Sequence, residues 1–534
     1  MTPRAAADEA ERHPVPGFAD SPTGRSRKRY TWLVAFLGFF FLAAGWALAA
    51  PFDGTPDEGE HVVRAYGVAS GDFAPAPTTA GLGTGAFQTV PASLVRVNCW
   101  FFHPDTTAAC AVPPGGSTHL VKTPTRAGRY NPVYYLVVGW PLLLWPTMKG
   151  VLAARLVSAA LSAAMLAIAA DSAVRWTRHR VMLAGVLAAV TPITLSLAGA
   201  VNPNGLEIAA GVALSALLIP ILLDPEVPLR RASLVQVAVV GAVLMFLRAL
   251  GPLWCVAIVG ILLVPTHRAL LDRLWRSKPA RWATGAIVAA GLFGVAWTVI
   301  MKASQLAVLK LGPTYGFQDI LRFEFFNRWG NYVNEMIGVM SWLDTDLPGP
   351  VYTIWYMVLG VLVVGALAFG TRTDRWRMFA FFAVTFGVPT VSEIMTVNQY
   401  GFAAQGRYML PIAVAMPIFG AFVLGHRRVL NEKHSAGLTR LVAVVVVTLQ
   451  LVFLWWTMLR WQIGQSVMMA DTHLNPLAGT WHPEVGSLAP LLAAVLGAVL
   501  MIGYAWTSTR PALRPSEQDG AGDRTETSVM VPER

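Results

Sequence analysis

Long apolar stretches interrupted by short charged turns dominate the chain. Thr31 to Ala50 contains no charged residue. About 20 apolar residues is the length a helix needs to cross a hydrocarbon core of about 30 Å with its backbone polar groups satisfied internally. Comparable runs fall near 151–174, 181–200, 205–223, 232–250, 251–265, 283–301, 350–370, 378–397, 409–425, 441–459 and 487–506. The pattern predicts an all-α polytopic membrane protein of about twelve transmembrane helices. The first run is too long for a cleaved signal, has no convincing small-residue cleavage site and is followed by many more spans. A Pro-interrupted apolar segment, Asn131 to Pro146, fits an interfacial or re-entrant position better than another crossing, which would invert the charged turns that follow.

Composition agrees. Of 534 residues 55% are hydrophobic and 13% charged, about half the charged share that a water-soluble surface requires, which excludes an ordinary soluble globule. The net charge of +11 raises nucleic acid as a partner until its location is considered. Of the 41 Lys and Arg, 27 lie in 1–30, 175–180, 224–231, 266–282, 371–377, 426–440 and 507–534, the segments that alternate crossings put on one side. That is the positive-inside signature, so the basic turns face anionic lipid and no nucleic acid is expected. Both termini are then cytoplasmic. The expected organisation is a disordered N-terminus (1–30), a transmembrane domain (31–506) with outer loops 51–149 and 302–350 and a further outer segment at 460–486, and a disordered tail (507–534).

Function concentrates on loops, so the outer segments carry the candidate chemistry. The first holds two of the three cysteines, Cys99 and Cys110, in the only oxidising compartment this topology offers, and a disulfide between them is expected. Just after the first span comes Pro56-Asp57-Glu58-Gly59-Glu60-His61-Val62-Val63-Arg64. A helix starting at Pro56 would gather Asp57, Glu58, His61 and Arg64 on one side, a set suited to acid/base work or to a cation. A plainer explanation competes for the acids: Thr55 as N-cap, Pro56 at N1 and Glu58 at N3 form a capping box, with Asp57 favourable at the positive helix end. His61 and Arg64 are required by no cap. Further ionisable groups stand at the outer ends of spans: Glu207 after the Asn202-Pro203-Asn204-Gly205 turn, Arg248, Glu393, and Arg407 beside Tyr408. Charges inside spans are costly and mark functional positions or structural ion pairs. The aromatic and charged segment Arg322 to Trp329 reads as an interfacial amphipathic helix. No P-loop, GxSxG, HExxH or four-ligand metal pattern occurs, so no metal site is assigned and nucleotide hydrolysis is not expected to drive the protein.

Pro56-Asp57-Glu58 with His61 and Arg64, Asn131-Pro132-Val133-Tyr134-Tyr135, the Asn202–Glu207 turn, Gly338 to Thr345 and Gln405 to Pro411 together resemble the bacterial membrane family called domain of unknown function 2142, over about 31 to 506. That family is similar to the GT-C superfamily of polytopic glycosyltransferases, which place an acidic residue in the first outer loop and an acidic or polar second loop between the third and fourth spans. Here Asp57 and Glu58 match the first position, and Asn204 with Glu207 the second, with Asn204 standing where many relatives have Asp. The resemblance implies a transferase of the bacterial plasma membrane, active in building the cell envelope. It would move a sugar from a polyprenyl-phosphate donor to a hydroxyl of an envelope glycan, glycolipid or protein at the outer face, with inversion. Asp57 is the expected base, with Glu58 as alternate and His61 orienting it. Arg407 is the first choice for the donor phosphate, with Arg248 and Arg64 next. Asn204, Glu207, Tyr135, Tyr408 and Glu393 are expected to touch substrate. No soluble cofactor is needed, and the place of a divalent cation is left open. Two other readings predict different placements: a lipid or glycan transporter would carry its charges at the bilayer midplane, and an envelope-assembly scaffold would need no acid/base chemistry.

Overall fold

The computed structural model describes residues 22–77, 85–176, 180–265, 267–303, 313–470 and 474–510, with side chains from Tyr30 onward. The expected disordered tails fall largely outside these residues. Helix α1 (Pro22–Ala49) starts ahead of the predicted span and leads into the first long loop. That loop carries α2 (Glu58–Ala69), an antiparallel hairpin of β1 (Ala86–Pro91) and β2 (Leu120–Thr125) pairing Ala86 with Thr125 and Pro91 with Leu120, and α3 (Pro132–Leu144). A disulfide joins Cys99 to Cys110 within it.

The bundle continues through α4 (Met148–Trp176), α5 (Met182–Ala189), α6 (Pro192–Ala198), α7 (Pro203–Leu223), α8 (Arg231–Leu247), α9 (Gly251–Leu263), α10 (Arg268–Arg276) and α11 (Lys278–Ile300). The second long loop holds α12 (Phe317–Phe323), a π-helical turn (Glu324–Arg328) and α13 (Trp329–Ile337). Helices α14 (Gly349–Phe369), α15 (Arg372–Tyr400), α16 (Gly406–Ala413), α17 (Ala415–His426), α18 (Glu432–Ile463), α19 (Gln465–Ala470) and α20 (Leu488–Ser508) complete the described chain. Among the described residues nine helices are long and apolar enough to cross a membrane, α16 and α17 counting as one. The protein is an all-α, multi-pass membrane protein. Three of the twelve predicted runs are not single long helices. The 181–200 run divides into α5 and α6 at Val190–Thr191 ahead of Pro192, and the 232–250 and 251–265 runs form helices of 17 and 13 residues.

Burial follows side-chain character. Helix α7 is apolar around its whole circumference, and it is buried from Pro203 to Ile221, as a helix without a polar face must be. It packs against α4, α8, α9, α16 and α17. Gly211 permits this: a Cβ there would lie 2.3 Å from the Pro411 carbonyl oxygen. Helices α11 and α14 stand at the periphery with large apolar side chains exposed, including Leu292, Val299, Val361 and Val364, which are suited to lipid tails. Helix α3 buries Tyr134, Tyr135, Val138 and Leu142 while exposing Leu136, Val137, Trp140 and Leu143. A short helix apolar on both faces fits the interface that the sequence indicates.

One buried cation joins the first loop to the bundle. Arg155, about two turns inside α4, is fully buried and uses all five of its donors. Nε and Nη2 reach the two carboxylate oxygens of Glu58 at 2.7 and 2.6 Å. Nη1 and Nη2 reach the carbonyls of Ala47, Ala50 and Pro51 at 3.0, 2.8 and 2.6 Å. Glu58 Oε1 also accepts the Val201 N–H at 3.1 Å, just before α7. A bidentate pair with every donor satisfied is the form in which buried charges are tolerated, and removing one partner leaves the other uncompensated. Glu58→Gln or Arg155→Met should therefore destabilise the protein by about 3–5 kcal/mol, read as a lower midpoint in thermal unfolding of the detergent-solubilised chain. A double variant no worse than either single change would confirm the coupling, whereas unchanged midpoints in both singles would show that the pair does not hold this junction.

Candidate active site

The loop that Arg155 anchors is tight and strained. Asp53 and Asp57 both adopt left-handed backbone, with φ of 60° and 69°, a conformation costing an L-residue about 1–2 kcal/mol. Helix α2 begins at Glu58 with Asp57 in the N-cap position, yet the Asp57 side chain makes no capping hydrogen bond, and Thr55 Oγ1 has no partner. The capping box considered from the sequence does not form. Left-handed φ/ψ at Asp57 turns its carboxylate away from the helix amides, and Glu58 is drawn to Arg155.

Asp57 instead meets Arg407, at the start of α16, with Nη2 to Oδ2 at 2.6 Å. The guanidinium is 3% exposed and the carboxylate 35%, so the pair is sealed behind and open in front. Burial alone would raise the Asp57 carboxyl, but Arg407, with further attraction from Arg248, holds it below the ordinary range. Arg407 also donates to Gln405 Oε1, the Pro56 carbonyl and the Tyr408 hydroxyl at 2.7, 3.3 and 3.2 Å. Asn202 Nδ2 donates to the same Pro56 carbonyl at 3.1 Å, so three segments distant in sequence converge on one peptide.

A second pair adjoins the first. Arg248, in the turn between α8 and α9, reaches Glu207 Oε2 at 3.1 Å, and Asn204 Nδ2 donates to the same oxygen at 3.1 Å and to the Arg407 carbonyl at 3.4 Å. The Tyr408 ring lies 5.0 Å from the guanidinium carbon of both Arg248 and Arg407, a cation–π bridge between the pairs. Glu207 Oε1 and Asn204 Oδ1 are buried without partners. Asp57, Arg407, Tyr408, Arg248, Glu207 and Asn204 are thus gathered at one end of the bundle.

Other expected site residues take different places. Glu58 is fully occupied by Arg155 and Val201, a structural position in place of the alternate base. Arg64 is fully buried and gives its Nη donors to the carbonyls of Asp72, Phe73 and Tyr130 at 3.2, 2.7 and 2.9 Å. It pins the loop where the sequence had suggested a phosphate ligand. His61 Nδ1 bonds the Tyr135 hydroxyl at 2.8 Å where orientation of Asp57 had been expected, and burial lowers its pKa to about 3, so the ring is neutral. Tyr135 is fully buried and its hydroxyl faces His61. Glu393 belongs to a neighbouring cluster: its Oε1 accepts the Ala404 N–H at 2.5 Å, and Glu335 Oε2 accepts that of Gly406 at 2.5 Å. With Arg328, which donates to the Ala404 carbonyl, these carboxylates fix the strand of loop from which Arg407 projects. Among the described residues no three His, Cys, Asp or Glu side chains gather as a cation site.

Beside Arg248 lies a small cleft lined by Tyr130, Asn131, Phe246, Leu250, Trp297 and Thr298 among others. Asn131 Nδ2 is buried without a partner, while its Oδ1 caps α3 through the Val133 N–H at 3.1 Å. The cleft therefore offers a guanidinium and a free amide donor within apolar walls. Arg155, Glu335 and Tyr130 were not singled out in the sequence. Only Arg155 carries a signal there, a charge inside an otherwise apolar run.

Among curated proteins no sequence matches this chain. Two solved structures are similar to it: that of ArnT from Cupriavidus metallidurans in the apo state, at 14% identity and a TM-score of 0.44 over 90% of this chain and 78% of that one, and that of the same protein bound to undecaprenyl phosphate, at 15% identity and a TM-score of 0.40 over 92% and 78%. The family described as predicted membrane protein (DUF2142) matches residues 40–416, and the chain belongs to that family.

Proposed function

We propose that the protein is a membrane glycosyltransferase that takes a sugar from a polyprenyl-phosphate donor and delivers it to an acceptor hydroxyl. The observation that carries this reading is the half-open Asp57 carboxylate, paired to Arg407 and set beside an Arg248-lined cleft with apolar walls. The cleft suits a lipid-borne phosphate, with Arg248 and the Asn131 amide as donors to its oxygens and Phe246, Leu250 and Trp297 against the first isoprene units. Asp57 is the base. As the acceptor oxygen attacks the anomeric carbon, its proton passes to Asp57 and the C1–O bond breaks, its electron pair leaving with the phosphate. Arg248 stabilises the charge that develops there. One such displacement inverts the anomeric centre. The incoming anion also draws Arg407 toward itself. With that positive charge turned away, burial dominates at Asp57 and strengthens it as a base when substrate is present.

Placement supports this reading over transport. The charged groups stand at helix ends, after α1, at the starts of α7 and α16 and just past α8, where a transporter would carry them at the midplane. Arg175, Arg230, Lys278 and Arg427 lie at or just beyond the far ends of α4, α8, α11 and α17. By the positive-inside rule that far end is cytoplasmic and the site opens on the outer face of the plasma membrane.

Asp57→Asn should lower kcat for transfer from a radiolabelled polyprenyl-phosphate sugar by about 10²–10⁴-fold in protein that is still folded by thermal unfolding, and transfer at the wild-type rate would reject Asp57 as the base. Arg248→Ala should raise the donor KM by about tenfold or more, as loss of a charged hydrogen bond of about 1.5–3 kcal/mol requires, without a matching change in acceptor KM. The ionised Asp57 carboxylate is the active form, so activity falls as pH falls through its pKa, which Arg407 holds low. Arg407→Gln should raise that pKa and shift the acidic limb of the kcat/KM profile to higher pH. A limb that stays in place would show that Asp57 does not set it.

A further inference from the structure

Beside Asp53, on the side of the first loop away from Arg155, three aromatic rings stand together. Phe101 and Phe102 have centroids 5.2 Å apart, and Trp342 lies 5.2 Å from Phe101 and 5.7 Å from Phe102. Phe102 is 61% exposed. This patch is bonded to the acidic loop: Trp342 Nε1 donates to the Asp53 carbonyl at 2.8 Å, and Asn98 Nδ2 donates to the same oxygen at 3.3 Å. The Asn98 side-chain oxygen in turn accepts the amides of Trp100 and Phe101 at 3.1 and 3.2 Å.

The patch is rigid. Arg460, fully buried, donates to the carbonyls of Trp100, His103 and Thr106 and to Asp344 Oδ2 at 2.7–3.0 Å, tying both ring-bearing loops to α18. The disulfide closes the 99–110 loop on the same side. Four of the eight non-glycine residues with left-handed backbone among the described residues are here: Asp53, Phe102, Ser341 and Leu343. Such strain persists only where the surroundings over-determine it, and it clusters at sites of function. A rigid framework that strains its backbone to keep Phe102 in solvent is not explained by core packing.

We infer that Phe101, Phe102 and Trp342 form a stacking platform for a sugar ring of the acceptor, so that the acceptor is a neutral glycan. A pyranose or furanose presents an apolar C–H face that packs on aromatic rings such as these and a rim of hydroxyls that stays in solvent. Charge argues against an anionic lipid headgroup. Asp105 and Asp344 lie near the patch, and the buried guanidinium there, Arg460, is already bonded to Asp344 and three carbonyls. The inference rests on the transferase reading for the meaning of "acceptor", though the platform's affinity for sugar stands apart from it.

The test uses the full chain in lipid nanodiscs and a panel of neutral hexose and pentose oligosaccharides, with binding followed by saturation-transfer NMR. At least one member should bind, Phe102→Ala should weaken it about tenfold, and Phe102→Tyr should restore it. In transfer assays Phe102→Ala should raise the acceptor KM by a similar factor and leave the donor KM unchanged. Binding by no member of the panel, or wild-type affinity in Phe102→Ala, overturns the platform. Unchanged sugar binding with poorer nanodisc incorporation overturns it too, and identifies the rings as a bilayer anchor. The two proposals fail separately. Transfer that survives Asp57→Asn while Phe102→Ala loses sugar sinks the catalytic reading alone, and loss of transfer in Asp57→Asn with an unaltered acceptor KM in Phe102→Ala sinks the platform alone.

Discussion

The arrangement depends on a guanidinium that has no water to turn to. Arg155 sits about two turns inside α4, and five hydrogen bonds to Glu58, Ala47, Ala50 and Pro51 replace its hydration. An unpaired charge at that depth costs several kcal/mol. The end of α1, the 51–57 turn and the start of α2 are therefore held wherever the guanidinium's fixed fork requires. Because the turn is short and Glu58 must point inward, its neighbour Asp57 is forced into left-handed backbone and points the other way, toward Arg407. Two adjacent acids thus acquire different roles, one buried and saturated, the other half open and paired.

The same logic organises the rest of the site. Each charged group is matched: Asp57 with Arg407, Glu207 with Arg248, Glu58 with Arg155. The Tyr408 ring lies 5.0 Å from both the Arg248 and the Arg407 guanidinium carbon. Among the polar atoms buried without a partner are Thr55 Oγ1, Glu207 Oε1, Asn204 Oδ1 and Asn131 Nδ2. Buried polar atoms without partners carry a desolvation penalty.

Much of the fold is legible in the chain because a bilayer imposes a simple rule. Every span must hide its backbone polarity, so its length and apolarity are written into the sequence, and basic turns record orientation. Breaks were harder to read. Pro192 sits within an apolar run that hydropathy reads as continuous, and the helix divides there because proline removes a donor and crowds the preceding turn. The candidate residues Asp57, Glu207, Arg248, Arg407 and Tyr408 were visible as charges and aromatics at span ends. Arg64 and His61 were grouped with them by helical spacing alone. Spacing fixes the face of a helix, and here the hairpin and α3 cover that face, which commits Arg64 to carbonyls and His61 to Tyr135.

By itself, then, the sequence determined a multi-pass helical bundle, its basic and loop-bearing ends, the loop in which Cys99 and Cys110 lie, and a short set of ionisable residues from which a site could be drawn. Only the tertiary structure decided which of those residues meet. Partners such as Asp57 and Arg407, or Trp342 and the Asp53 carbonyl, lie some 300 positions apart or more, and nothing local encodes their approach. It is the packing of α7 against α4 and α16, together with the buried Arg155, that turns one acid inward and leaves the next facing Arg407.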